Sequence, residues 1–109
     1  MFAVPGAARK MFGSFAPKLV QLTDETLFGD IWNRPELTRR DRSLITVAAL
    51  IALNRPDQLQ FHLRTAMEHG ITSEELVEVV THLAFYAGWP SAMTAAEILR
   101  TSVDEEPPS

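Results

Sequence analysis

The chain has 109 residues, a formal net charge of −4, 46% hydrophobic and 22% charged residues, and no cysteine. That length fits one domain with a single core, and this balance of apolar and charged residues belongs to a globular protein rather than a disordered one. The acid excess gives no basic surface for a nucleic-acid backbone, and the missing thiols exclude a cysteine nucleophile, a disulfide couple and a thiolate metal site.

Residues 1–14 are read as an N-terminal arm. They carry Arg9 and Lys10 among small and apolar residues, without the apolar core of a secretory signal. The expected location is the cytoplasm, consistent with a cysteine-free chain. A first helix is expected over residues 17–32, with Thr23 and Asp24 offering a second capped start within it.

The second helix opens at Thr38, a hydroxyl cap, with Asp41 three residues on as a shortened capping box. It becomes apolar nearly all round through Leu53 and is expected to be buried on several sides. The run from Leu44 to Leu53 is too short to cross a bilayer, so no membrane span is expected. The third helix starts near Pro56 and stops at Gly70, a residue suited to a left-handed C′ position.

The fourth helix starts at Thr72 or Ser73, with Glu74 and Glu75 in its first turn, and stops at Gly88. A turn is expected at Trp89-Pro90, then a last helix over residues 91–103 and a flexible acidic tail at 104–109. No stretch alternates as a strand would, so the fold class is all-α.

Three histidines can transfer protons near neutrality. His62 falls on the core side of the third helix, either as a hydrogen-bonded interior residue or as an acid. Glu78, His82 and Tyr86 repeat every four residues along one side of the fourth helix. They are either a plain surface series or a carboxylate, an imidazole and a phenol arranged for proton transfer. His69, beside Gly70, is expected to act at the helix end, where the dipole favours a cation.

Arg39, Arg40 and Arg42 crowd the first turn of the second helix, where positive charge is disfavoured. Arg42 is the preferred contact for a carboxylate, and Arg39 and Arg40 serve either that end or a solvated face. Trp32, Phe85 and Trp89 could wall a pocket or form core and subunit interface. No compact set of metal ligands and no phosphate-binding loop is present, so neither metal nor cofactor is expected.

The runs LFGDIWNRPEL at 27–37, RDRSLITVAALIA at 40–52 and HLAFYAGWP at 82–90 resemble the carboxymuconolactone decarboxylase family over residues 15–103. The resemblance implies an alkylhydroperoxidase D-like helical bundle that self-associates as a trimer or hexamer, with sites near subunit boundaries. In the redox branch of that superfamily the pattern is Glu, Cys, Cys, His. It falls here on Ser43, Arg55, Gln58 and His62, so only the histidine is kept and thiol peroxidase chemistry is unavailable.

The cysteine-free branch implies cofactor-free decarboxylation or proton transfer on a small lactone or related carboxylate. His62 or His82 would be the acid, with Glu78 orienting His82. Arg42 would hold a carboxylate, Tyr86 or a second histidine would donate to an oxyanion, and Trp32, Phe85, Trp89 and Arg39 would line the pocket. The alternative is a non-catalytic or redirected oligomer of the same fold that binds a small molecule.

Overall fold

The computed structural model describes residues 7–104. They form α1 (Ala7–Phe12), α2 (Pro17–Gln21), a π-helical turn (Leu22–Leu27), a 3-10 turn (Ile31–Asn33), α3 (Arg39–Ala52), α4 (Pro56–Glu68), α5 (Ser73–Ala87) and α6 (Trp89–Asp104). Among the described residues the regular structure is all helical. The fold class is as expected.

The first helix is not continuous. Thr23, expected as a cap, turns its hydroxyl back onto the Leu19 carbonyl at 2.7 Å, and the Phe28 N–H skips to the Thr23 carbonyl at 3.0 Å. That five-residue bond widens the helix into a π turn and throws Phe28 and Trp32 toward the bundle. The N-terminal arm also contains a helix, α1; residues 1–6 lie outside the described residues.

Thr38 caps α3 as expected, accepting from the Asp41 N–H at 3.0 Å, but the Asp41 carboxylate is too short to return the bond. On α5 the box is complete. Thr72 accepts from the Glu75 N–H at 3.1 Å, and Glu75 accepts from the Thr72 N–H at 2.9 Å. At the end of α4, Gly70 takes φ +97°, the Ile71 N–H reaches the Ala66 carbonyl and the Gly70 N–H reaches that of Met67. This is a Schellman motif, and it buries Ile71 under the helix it terminates.

The expected turn at Trp89-Pro90 is made by Gly88 alone, at φ +99°. α6 begins at Trp89, because a proline in a first turn lacks only an N–H that has no intrahelical partner. Of the expected tail, Asp104 closes α6, and residues 105–109 lie outside the described residues.

The core joins Val47 and Ile51 of α3, Leu59, Leu63 and Ala66 of α4, Leu76, Val80 and Ala84 of α5, and Ala92, Ala95 and Leu99 of α6. The alanines at 84, 92 and 95 let α5 and α6 approach closely, and that pair is the most extensively packed. α3 is buried along Ser43, Val47 and Ile51 only. Ile45 stays 56% exposed, because α4, α5 and α6 all lie on one side of the helix, so burial on several sides does not hold within one chain.

Candidate active site

Positions 62 and 69 lie nearly two helical turns apart, so α4 and its cap carry both imidazoles on one face. The Trp32 indole meets both. Its ring lies 6.3 Å from His62, near parallel at 19°, and 6.1 Å from His69, tilted at 46°. Phe28 stacks on Trp32 at 6.3 Å and extends the apolar wall. Trp32 gets there on the 3-10 turn, which Asn33 holds by donating to the carbonyls of Phe28 at 3.1 Å and Gly29 at 3.2 Å.

The two imidazoles occupy different surroundings. His62 is buried, and burial pushes its pKa below the ordinary 6.5, so the ring is neutral at physiological pH. His69 is half-buried, and its Nδ1 lies 2.8 Å from Ser43 Oγ on α3. Ser43 is itself fully buried, which fixes the hydroxyl and with it the plane of the imidazole.

A cavity of about 390 Å³ opens here, lined by Asp24, Phe28, Trp32, Asn33, Arg39 and His69. The Arg39 guanidinium donates to Asn33 Oδ1, so one amide both holds the turn and aims the cation. Asp24, delivered by the π turn, has one buried carboxylate oxygen with no hydrogen-bond partner. The site thus combines a cation, a carboxylate, an anchored imidazole and an aromatic wall.

Arg42, the arginine preferred from sequence, is not among the residues lining this cavity. Its guanidinium donates to the Arg34 carbonyl at 3.2 Å, and its Nε is buried without a hydrogen bond. Arg39, three residues earlier, is held by Asn33 and lines the cavity. Arg55 and Gln58, at the family's thiol positions, lie exposed at the start of α4.

The remaining expected site residues gather elsewhere. A larger cleft of about 450 Å³ between α3 and α5 has a floor of Leu44, Ile71, Val79 and Leu83 and a rim of Arg40, Glu75, Glu78 and His82. Glu78 and His82 share this rim as their spacing predicts, but no hydrogen bond joins them. His82 stacks on Tyr86 at 4.9 Å, and Phe85 meets Trp89 edge to face at 5.2 Å. All four rings are exposed. Arg40 pairs with Glu75, whose pKa is lowered first by the Thr72 N–H and then by Arg40.

The sequence reading missed Asp24, Asn33, Ser43 and His69 as parts of a site. The seven-residue spacing of His62 and His69 was the available signal. The 26-residue separation of Ser43 from His69 carried none.

Fold and site define an all-α bundle protein with an aromatic-walled imidazole–guanidinium pocket. Residues 17–101 match the carboxymuconolactone decarboxylase family, and the chain belongs to it. It is 46% identical over 68 residues to the 4-carboxymuconolactone decarboxylase of Acinetobacter baylyi, covering 62% of this chain and 51% of that protein. It is 34% identical over 85 residues to the nitrosuccinic acid decarboxylase of Metarhizium robertsii, covering 78% and 59%. An uncharacterized protein of Paracoccus denitrificans is 33% identical over 85 residues, covering 75% and 63%. The chain thus spans between about half and just under two-thirds of the length of these curated relatives. Among the described residues no helix is long and apolar enough to cross a membrane.

Proposed function

We propose that the chain carries the site of a cofactor-free decarboxylase acting on a small lactone or related carboxylate. The observation that carries this reading is the placement of His69, anchored on Ser43, beside Trp32 and Arg39 in one cavity. The names of the two named relatives give it a chemical direction. 4-Carboxymuconolactone and nitrosuccinic acid each lose a carboxylate from a carbon whose electron pair can spread onto oxygen.

In this reading Arg39 pairs with a carboxylate that stays on the substrate, which fixes the ring in the cavity. The departing carboxylate lies against the indole and Phe28, where water is scarce. The carbon–carboxylate bond breaks, carbon dioxide leaves, and the electron pair delocalises through the ring onto the lactone oxygen. His69 in its protonated form keeps Nδ1–H on Ser43 and gives the Nε2 proton to carbon, and solvent then reprotonates the ring. One proton is consumed for each carbon dioxide released.

His62, neutral and buried, backs the indole and is assigned a positioning role. Arg42, Glu78, His82, Tyr86, Phe85 and Trp89 are placed outside the reaction. The test is the loss of lactone absorbance with 4-carboxymuconolactone as substrate. The expected result is turnover by the wild type, a fall of roughly 100-fold or more in kcat for H69A, and a nearly unchanged rate for H82A. Full activity in H69A would overturn the assignment. Binding without turnover by the wild type would favour the small-molecule-binding alternative.

A further inference from the structure

We infer that the α1–α2 segment of one copy of this chain docks into the α3–α5 cleft of another. Two halves of an interface are present on the same molecule, and each is uncovered. α1 and α2 pack on each other and on the π turn, and their link onward to the bundle is the 3-10 turn that bears Trp32. Apart from Val20, which is buried, large apolar side chains of this segment are left facing out: Met11 is 73% exposed, Phe15 88% and Leu19 58%. A bundle of this size does not present such residues in one stretch without something to cover them.

The cleft between α3 and α5 offers the complement. Its floor is Leu44, Ile71, Val79 and Leu83, and its free rim charge is Glu78, because the Glu75 carboxylate is engaged by Arg40 and by the cap of α5. Glu74, one turn before Glu78, extends the same acidic edge. The segment from Ala7 to Gln21 carries Arg9, Lys10 and Lys18 and no acid. A basic segment with exposed Phe and Leu therefore matches an apolar groove with an acidic edge in both polarity and sign.

The two surfaces differ, so each segment–cleft contact joins unlike patches. Reciprocal exchange closes a two-fold dimer, and serial exchange closes a ring. Docking also bears on the cavity, because the chain that leaves α2 is the π turn bearing Asp24 and Phe28. A neighbour that holds α1 and α2 would hold that wall in place.

The test is the mass of the full chain by light scattering across a concentration series, a readout independent of turnover. The wild type is expected to associate. K10E/K18E, on the segment, and E74K/E78K, on the rim, are each expected to raise the dissociation constant by about tenfold or more, and the combined variant to recover most of that loss. All four positions are exposed, and a far-UV spectrum identical to wild type checks that each variant folds. A monomeric wild type at every concentration would overturn the inference, and so would folded charge-reversed variants that associate as well as wild type. A combined variant no better than either parent would overturn the pairing of segment with rim.

Discussion

The Ser43 hydroxyl on α3 and the His69 imidazole at the end of α4 meet at 2.8 Å across a helix–helix contact, with the serine fully buried. The bond ties the cap of one helix to the first turns of another. Replacing Ser43 by alanine removes the partner without changing the fold. S43A is expected to lose about 1 kcal/mol of stability in urea denaturation. In the lactone assay it should lower kcat by about tenfold with little change in KM, as expected for a group that orients an acid rather than binding substrate. A changed KM with unchanged kcat would contradict that role.

His62 gives the protein a pH-dependent stability of known sign. Burial lowers its pKa in the folded state, while the unfolded chain titrates at the ordinary 6.5. Below that value the unfolded state binds the proton that the folded state refuses, so stability falls as pH drops through and below 6.5 and is fully present above it. Melting temperatures from pH 5 to 8 should show this decline. H62Q, which cannot charge, should flatten it, and an unchanged slope would show that other groups carry it.

Arg39 and Arg42 should separate cleanly. R39K keeps the charge but loses the planar fork, and is expected to raise KM by roughly tenfold while leaving kcat near wild type. R42A breaks the tether to the Arg34 carbonyl and should lower the melting temperature more than it alters KM. The reverse pattern would return the carboxylate role to Arg42.

The caps of α3 and α5 differ in completeness, and that difference is measurable. T72A removes the hydroxyl that accepts from the Glu75 N–H and also donates to Glu75 Oε1, leaves the backbone half of the box in place, and should cost about 1–2 kcal/mol. T38A, which removes a single bond, should cost less, about 0.5–1 kcal/mol. Denaturation of the two variants side by side checks the order.

Much of the fold could be read from local chemistry. Thr38, Pro56, Gly70, Thr72 and Gly88 each satisfy or break a backbone bond within a few residues, so their consequences follow from their neighbours alone. The π turn was not legible, because it depends on a choice by Thr23 between two backbone partners that both lie in range. Trp89-Pro90 misled because a proline forbids a helix interior but not a helix start.

The site was legible only in part. His62 and Trp32 were singled out, but the residues that set Trp32 and His69 into one cavity act over distance. Asn33 works through two carbonyls and Arg39, and Ser43 works across an interhelical contact. The Glu78, His82 and Tyr86 series followed its spacing faithfully. Helical periodicity predicts which side chains share a face, and it says nothing of whether that face meets water.

Because the π turn is joined to the bundle through one short turn, the floor and the wall of the cavity belong to parts of the chain with different opening energies. Amides of α4 and α5 exchange only when the core gives way, whereas those of the π turn need only part from Trp32. A ligand that packs against Phe28 at the end of that turn therefore spends part of its binding free energy on ordering that wall. Its arrival should be recorded as slowed hydrogen exchange at residues 22–28, with the bundle beneath unchanged.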